Sequence, residues 1–335
     1  MYLSDSPKQQ RLIPDGAFAL INGRAANPLS TEESIYGYKY MGYFYLILQA
    51  LIFSFGGLLI KSVGTMLSPF LTSCLRFTIG IALLFLIQRF RSGKLRLTLT
   101  DRVILIGGVC KALHYLAENF GVMRGFSYGV VLVWPVQTVV IFLVSRLFYK
   151  ERADYCTLAG TILCIAGVIT ISWNGASLSV FLGSGGITMA ALVLAGIGAA
   201  GFSISQKARI REMDVVEMNA SMFIFGWITT LLVLIPTSPH VTGTVNLSGT
   251  ISMLLLGVIT CVGFLLQAAG IRTVPLLIAT IIQSSSTVLT ILWGVLFYHD
   301  PISRYVVLGT VFFMTGIVLV NLPAVKSKHM QQIDE

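Results

Sequence analysis

The sequence predicts an all-α membrane protein with ten transmembrane helices, arranged as two inverted repeats of five helices, with both termini in the cytoplasm. Three observations support this fold class. The chain is 55% hydrophobic with a mean hydropathy of +0.83, its apolar residues form long blocks, and its basic residues are unevenly distributed between those blocks. Only 11% of the 335 residues are charged, whereas about 25% is usual for a soluble domain.

Ten apolar blocks of 18 to 23 residues make up most of the chain. A helix of about 20 apolar residues spans the hydrocarbon core of a bilayer. Such a segment must be helical, because no water is present there to satisfy its backbone polar groups. Charged residues, Pro or Gly clusters bound the blocks. We therefore expect helices over residues 43–60, 66–88, 101–123, 128–149, 155–173, 187–206, 216–236, 250–271, 276–297 and 304–322.

The distribution of Lys and Arg residues predicts the orientation of these helices. With spans that alternate from a cytoplasmic N-terminus, eighteen basic residues lie on the cytoplasmic side and three on the other, while Arg76 and Lys111 lie within spans. Cytoplasmic loops of membrane proteins carry such an excess. We therefore expect a multi-pass protein of the cell inner or plasma membrane with both termini cytoplasmic. The net charge of +9 is explained by orientation, and we expect no nucleic-acid binding.

An internal repeat is found when 149 is added to the residue numbers of the first half. The segment FYKERADYCTLAGTILCIAGV at 148–168 then aligns with FYHDPISRYVVLGTVFFMTGI at 297–317, and Glu151 aligns with Asp300. We expect these two acids to act as structural fasteners near the membrane surface. Five spans per repeat is an odd number, so the second repeat enters the membrane in the opposite orientation. Inverted repeats are typical of secondary transporters, which bind substrate between the repeats near the membrane midplane.

The repeat divides the chain into four parts. The first tail is polar and shows no signal peptide. We expect, in order, a mostly disordered cytoplasmic tail at 1–42, the first repeat at 43–173, the second repeat at 187–322 and a short cytoplasmic tail at 323–335.

Four short motifs indicate a family resemblance. They are LRF at 75–77, Pro135, FYKE at 148–151 and GTILCIAGV at 160–168. In this order and spacing they resemble the ten-helix members of the drug/metabolite transporter superfamily with two EamA-type repeats. The resemblance implies a secondary transporter, more often an exporter, whose central cavity is lined by helices one, three, four, six, eight and nine. Ser284 and Phe225 replace Pro135 and Arg76 in the second repeat, so we expect functionally unequal halves.

A stripe of polar residues interrupts the third apolar block. The segment KALHYLAENFG places Lys111, His114, Tyr115 and Glu118 within about 100° of one helix face. Charged residues in lipid cost roughly 2.5–3.5 kcal/mol each, so this face should point to the protein interior or a wet cavity. His114 and Glu118 are one turn apart and can hydrogen-bond, whereas Lys111 and Glu118 are too far apart for an easy pair.

We expect this stripe to be a substrate and proton site. Glu118 is the exchangeable acid, His114 tunes its proton affinity, and Lys111 offers a cationic contact. The alternative interpretation is an internal polar network that only holds the helices together.

The repeat extends the candidate site to other helices. The offset of 149 pairs Glu118 with Gln267, Trp134 with Gln283 and Gln137 with Ser286. Polar groups at these positions can bind substrate or join helices, and tryptophans can provide flat walls or anchor and pack helices. An arginine within a span can bind a substrate carboxylate or another helix. The further substrate-binding candidates are therefore Trp134, Gln137, Gln267, Gln283, Ser286, Trp293, Gln49 and Arg76.

Motifs of other functional classes lack their structural context. GFSYG at 125–129 matches the nucleophile elbow of hydrolases, but it joins two predicted membrane helices instead of a strand and a helix. GSGG at 183–186 lacks the lysine of a phosphate-binding loop. The four histidines have no metal-ligand spacing. We therefore expect no enzymatic activity, no cofactor and no metal site.

These observations together predict a secondary transporter, an exporter or exchanger, that works by alternating access. Its substrate is a small polar or amphipathic metabolite, such as an amino acid or a related organic ion. The expected partners are this substrate, the lipid bilayer and protons as a candidate coupling ion, and the chain is expected to be a monomer or a weak homodimer. The alternatives are a flippase for lipids or lipid-linked molecules, which needs a lateral groove, and a membrane scaffold or receptor, which needs no ionisable cavity.

The charge distribution generates a test of topology. Cysteines introduced at Ser184 and Thr244, in the uncharged loops 174–186 and 237–249, should react with an impermeant thiol reagent added outside intact cells. A cysteine introduced at Ser92 should react only after the membrane is permeabilised, and the parental protein gives the background labelling. Labelling of Ser92→Cys in sealed cells would overturn the predicted orientation.

Overall fold

The computed structural model describes residues 32–125, 127–149, 155–173, 185–238, 240–299 and 302–331. This part of the chain is helical almost throughout, and the single β-bridge in it joins Leu67 to Val241. The helices are α1 (Glu32–Ser54), α2 (Gly56–Val63), α3 (Pro69–Ser92), α4 (Arg102–Arg124), α5 (Val133–Tyr149), α6 (Tyr155–Trp173), α7 (Gly186–Arg209), α8 (Val215–Leu234), α9 (Leu247–Thr273), α10 (Leu276–Ser284), α11 (Ser286–Tyr298) and α12 (Arg304–Gln331).

Every predicted apolar block coincides with helical structure. Two blocks are each formed by two consecutive helices: α1 and α2 meet at Phe55, and α10 and α11 meet at Ser285. The fourth block begins with a short 3-10 helix at Ser127–Leu132, which leads into α5. The predicted all-helical architecture of a membrane protein is therefore confirmed.

In the part of the chain that the structure describes, six segments are long and apolar enough to cross a membrane. Three of the other predicted blocks contain shorter apolar helices. The remaining block forms α4, which is long enough to cross a membrane but has a lower mean hydropathy because of its polar stripe. The six are Tyr40–Val63, Pro69–Ser92, Gly186–Arg209, Val215–Leu234, Leu247–Thr273 and Ile278–Tyr298.

Two helices extend beyond the apolar blocks that predicted them. Helix α1 begins at Glu32, inside the expected tail, and α12 continues to Gln331, past the expected end of the second repeat. Hydropathy marks only the part of a helix that lies in lipid, so it gives no information on polar extensions. Glu151 and Asp300, the expected fasteners, lie outside the described residues.

Local sequence explains where several helices begin and end. The side chains of Ser68, Asp101, Asp214 and Asn246 accept hydrogen bonds from backbone N–H groups in the first turns of α3, α4, α8 and α9. Such caps satisfy donors that have no partner inside the helix. Gly93 follows the last residue of α3 and caps the helix, with a φ of 68° in the left-handed conformation that favours glycine.

The two repeats interleave in the bundle. Helices α1 and α2 of the first repeat pack along α9 of the second, and α4 of the first packs along α7 of the second. Adding 149 to the residue numbers aligns α1 and α2 with α7, and α4 with α9. The packing of α1 and α2 on α9 is therefore the repeat equivalent of the packing of α7 on α4. We call them the α1–α9 pair, which includes α2, and the α4–α7 pair. The candidate site lies between them.

Helices α6 and α12 meet at matched glycines. A Cβ added at Gly167 would lie 2.6 Å from the carbonyl oxygen of Gly309, and one added at Gly316 would lie 2.6 Å from that of Gly160. The offset aligns Gly160 with Gly309 and Gly167 with Gly316. Small residues allow such close approach of membrane helices, and the two repeats use the same residues for it.

We expect Gly167→Ala to destabilise the protein by about 1–3 kcal/mol, the usual cost of overpacking. The new methyl group would meet backbone atoms, which can yield only if α6 and α12 move apart. Thermal unfolding of the purified protein in detergent measures the effect.

Gly56→Ala is the matched control, because a Cβ there has no heavy atom within 4 Å. Its unfolding temperature should stay at or above that of the parent protein. Equal losses in the two variants would contradict the close-contact explanation.

Candidate functional site

The polar stripe of α4 lies in the interior of the bundle. The exposed fraction is 0% for Lys111 and Tyr115, 2% for His114 and 4% for Glu118. Helix α4 reaches this depth because its glycine-rich face allows α7 and α8 to approach closely: a Cβ at Gly108 would lie 2.4 Å from the backbone oxygen of Met222 in α8. Ionisable groups so placed need partners inside the protein.

Arg76 of α3 is the main partner of Glu118. Arg76 Nη1 lies 2.8 Å from Glu118 Oε2 and also donates to Asn119 Oδ1 at 3.0 Å. Asn119 in turn donates to Ser73 Oγ at 2.8 Å. The guanidinium lies over the ring of Tyr115, with 3.6 Å between Arg76 Cζ and the ring centroid. Arg76 therefore joins α3 to α4 and neutralises the charge of Glu118.

His114 connects Glu118 to Lys111 along α4. Lys111 Nζ lies 3.0 Å from His114 Nδ1, and His114 Nε2 lies 3.4 Å from Glu118 Oε1. An ammonium can only donate, so His114 Nδ1 accepts and the proton of a neutral imidazole sits on Nε2, facing the carboxylate. The three side chains form a hydrogen-bonded series, and the structure places His114 and Glu118 at the one-turn separation that the sequence predicts.

Aromatic rings surround the ammonium group of Lys111. Its Nζ lies 3.4 Å from the ring centroid of Phe264, 4.1 Å from that of Tyr115 and 5.0 Å from that of Phe202. Ring faces attract cations when the cation is desolvated. Among the described residues no carboxylate lies within ion-pair distance of this ammonium. We refer to Arg76, Lys111, His114, Tyr115 and Glu118 as the charged cluster.

A second group of buried polar residues is centred on Gln267 of α9. Its Oε1 accepts from Gln49 Nε2 at 3.1 Å and from Gln283 Nε2 at 3.0 Å. Its Nε2 donates to Ser203 Oγ at 2.8 Å and to Gln206 Oε1 at 3.1 Å. These bonds join α1, α7, α9 and α10, which are contributed by both repeats.

Gln137 of α5 completes this group. Its Nε2 donates to Ser203 Oγ at 3.0 Å and to Gln283 Oε1 at 3.4 Å. We refer to Gln49, Gln137, Ser203, Gln206, Gln267 and Gln283 as the amide cluster. Within the described part of the chain, Gln49 Oε1 and Gln137 Oε1 are buried and accept no hydrogen bond. Buried polar atoms normally have a partner, so these acceptors suit a ligand that carries N–H or O–H donors.

The two tryptophans predicted at the site have different positions. Trp134 stacks on Phe53, with 5.7 Å between ring centroids, and its ring lies edge-on to His114 at 6.4 Å. It therefore lies against the charged cluster. Trp293 instead donates from Nε1 to Ser54 Oγ at 3.0 Å and stacks on Phe55 at 4.9 Å, so it supports the break between α1 and α2.

Most of the predicted residues thus fall into two adjacent clusters. Trp293 lies outside both, and Ser286 is buried without a side-chain hydrogen bond to any described residue. Sequence reasoning missed Asn119, Ser203 and Gln206. Ser203 and Gln206 are three residues apart and therefore share one face of a predicted span, which is the signal that could have found them.

Comparisons with known proteins agree with this architecture. A model of the EamA-like transporter family matches residues 40–173 and 186–322. An uncharacterized transporter of Clostridium kluyveri is 23% identical over 83% of this chain and 92% of its own length. An uncharacterized transporter of Archaeoglobus fulgidus is 23% identical over 82% and 97%, and the uncharacterized transporter YojE of Bacillus subtilis is 24% identical over 60% and 63%.

A solved crystal structure has the same fold. It superposes with a TM-score of 0.64 at 20% sequence identity and covers 84% of this chain and 98% of its own. The family match and the named relatives, not the solved structure, support a membrane transporter with a non-enzymatic role. Because the two family matches cover most of the sequence, the chain belongs to the EamA-like transporter family.

Proposed function

We propose that this protein is a secondary transporter that moves a small polar or amphipathic metabolite by alternating access across ten spans, with both termini in the cytoplasm. It acts as an exporter or exchanger, and its substrate is an amino acid or a related organic ion. The family and the relatives support a membrane transporter. The observation that carries the finer proposal is the charged cluster, buried next to the amide cluster between helices of both repeats.

The chemistry of the two clusters supports a substrate with both an anionic group and hydrogen-bond donors. Lys111 offers a cation whose close neighbours are aromatic rings and an imidazole. Gln49 and Gln137 offer acceptors that are buried and without a donor among the described residues. A carboxylate near Lys111 and an amine near these amides would satisfy both. Amino acids and related organic ions carry this combination.

Proton exchange at Glu118 would alter the charge balance of the site. With Glu118 ionised, Arg76 has a counter-ion 2.8 Å away. With Glu118 protonated, the buried guanidinium loses that counter-ion, and an unpaired buried charge is strongly unfavourable. Another anion is then favoured next to Arg76. Proton binding and substrate binding are linked in this way.

The competing flippase function requires a groove that leads from lipid to a polar site. An apolar crevice of about 290 Å³ lies between α1, α3, α8 and α9, with Arg91 and Arg272 among its lining residues. None of the described residues that line it belongs to the charged or the amide cluster. The crevice therefore has no polar lining in common with the candidate site. The geometry favours transport of a water-soluble metabolite.

We expect Glu118→Gln to abolish accumulation driven by a pH gradient while downhill exchange continues. Gln keeps the volume and hydrogen-bonding capacity of Glu but cannot titrate at this position. The measurement is flux in proteoliposomes with and without a pH gradient, together with the unfolding temperature. Glu217→Gln is the control, because this acid lies in the first turn of α8 and bonds Thr98. It should keep gradient-driven uptake.

A second variant separates coupling from folding. Because Glu118→Gln leaves Arg76 without its counter-ion, the double variant Arg76→Gln/Glu118→Gln should recover stability without recovering proton coupling. Unchanged gradient-driven uptake in a stable Glu118→Gln protein would refute the role of Glu118. It would favour a network that only joins helices.

We expect Lys111→Met to remove the stabilisation that anionic or zwitterionic metabolites give to the purified protein. A ligand that binds the folded state raises stability by mass action, by about 2.7 kcal/mol at a hundredfold excess over Kd. Thermal-shift screening with pools of amino acids and organic acids measures this effect. Lys94→Met, at an exposed position outside both clusters, should respond as the parent does. Equal ligand stabilisation of Lys111→Met and the parent would remove Lys111 from the binding site.

A further inference from the structure

Two lysines join helix ends at opposite ends of the bundle. Lys61, in the last turn of α2, donates to the carbonyl of Gly125, the residue that caps the end of α4. Lys207, in the last turns of α7, donates to the carbonyls of Ile271 and Val274 at the end of α9, with 3.3 Å to the latter. Each lysine thus bridges two helices of its own repeat.

The two bonds are related by the internal repeat, with a shift of one helical turn. The offset of 149 aligns the acceptor Gly125 with Val274, the more distant of the two carbonyls that accept from Lys207. It aligns Lys61 with Ile210, three residues from Lys207 and therefore close to one helical turn away on the same face. Because the repeats are inverted, the Lys61 bond and the Lys207 bond lie at opposite mouths of the site.

The chemistry of these bonds suits contacts that form and break. The last carbonyls of a helix have no partner within it and carry the negative end of the helix dipole, so an ammonium is favourable there. Both lysines are partly exposed, so water can replace the carbonyl when the helices separate. Neither bond involves a carboxylate, and neither requires a buried charge to be left unpaired.

Both bonds connect the same two bodies. At one mouth, Lys61 of the α1–α9 pair donates a hydrogen bond to the α4–α7 pair. At the other mouth, Lys207 of the α4–α7 pair donates a hydrogen bond to the α1–α9 pair. Between them, Gln267 of the first pair bonds Ser203 and Gln206 of the second. The pairs are therefore linked at both mouths and through the amide cluster, whose Gln267–Gln206 bond lies about one helical turn inward from the Lys207 bond.

Each lysine extends from a pair that is tied together internally at the same end. Near Lys61, Ser252 Oγ donates to Ser62 Oγ at 3.0 Å, which holds α2 to α9. Near Lys207, Arg209 Nε lies 2.6 Å from Asp101 Oδ2, which holds α7 to α4.

The Asp101–Arg209 pair is held at two points. Arg209 donates from Nε to Asp101 Oδ2 at 2.6 Å and from Nη2 to Asp101 Oδ1 at 3.4 Å. The tie within the α4–α7 pair is therefore a double hydrogen bond between opposite charges, whereas each lysine bond has only neutral carbonyl groups as acceptors.

We propose that Lys61 and Lys207 are gating residues, each of which holds one mouth of the transporter closed. This inference rests on the proposed alternating-access function. With both bonds formed, the charged cluster is at most 4% exposed, as expected of an occluded state. Release of the Lys61 bond lets the pairs separate at one mouth, and release of the Lys207 bond lets them separate at the other.

The test measures access to the site from each side of the membrane. A single cysteine replaces Ser203 in a protein whose native cysteines are changed to alanine, and an impermeant thiol reagent is added to right-side-out or inside-out vesicles. Lys61→Met should raise the labelling rate roughly tenfold in one vesicle orientation, the equilibrium effect of losing a charged hydrogen bond. Lys207→Met should do so in the opposite orientation.

Two further variants control for structural damage. Lys61→Arg and Lys207→Arg keep a charged donor and should keep labelling close to that of the parent, while unfolding temperatures report on folding. Increased labelling from the same side in both Met variants, or from neither side, would overturn the gating role. If one Met variant does not fold, the side-specific labelling of the other Met variant decides the question.

The same preparations distinguish failure of the gates from failure of the transporter proposal. In one outcome, the cysteine-replaced protein that retains Ser203 transports substrate while the Met variants show no side-specific labelling. That result would support the transporter proposal and refute the gating role of the lysines. Side-specific labelling without flux of any metabolite pool would support the gating role and refute the transporter proposal, because the protein would open at two ends without transporting.

Discussion

The buried ion pair between Arg76 and Glu118 is the constraint on which the arrangement of the site depends. Two charges removed from water are tolerated only with good mutual geometry and further hydrogen bonds. Asn119 provides one such bond and the face of Tyr115 another contact. Every neighbour is thereby restricted: α3 must present Arg76 to α4 at this depth, and α4 must turn its glycine face to α8.

The amide cluster has a different energetic character from the charged cluster. Its members are neutral, and Gln267 shares four partners, so one hydrogen bond can be exchanged for another at a cost of only about 0.5–1.5 kcal/mol. The charged cluster resists rearrangement, whereas the amide cluster permits it. In the proposed transport cycle the charged cluster would hold the ligand in a defined position, and the amide cluster would let the two helix pairs move.

Sequence predicted the helices and the inward face of α4 because both depend on short-range periodicity. It did not predict the pairing of Arg76 with Glu118, since the two lie on different helices and only the packing of α3 against α4 brings them together. The breaks at Phe55 and Ser285 were also not predicted, because neither position has a proline to mark it. Trp293 was expected at the site on helix-face grounds, but the break at Phe55 provides its partners instead.

The one-turn displacement between Lys61 and Lys207 has a consequence for how duplicated membrane proteins diverge. After a gene duplication, a side chain can be displaced by a turn along its helix and still reach a carbonyl at the same helix end, since it stays on the same face. An alignment of the two halves would show each lysine without a lysine at the matched position of the other half. In this chain the contact between helix ends is present in both halves although the lysines are not at matched positions, so its halves are better compared by helix face than by alignment column.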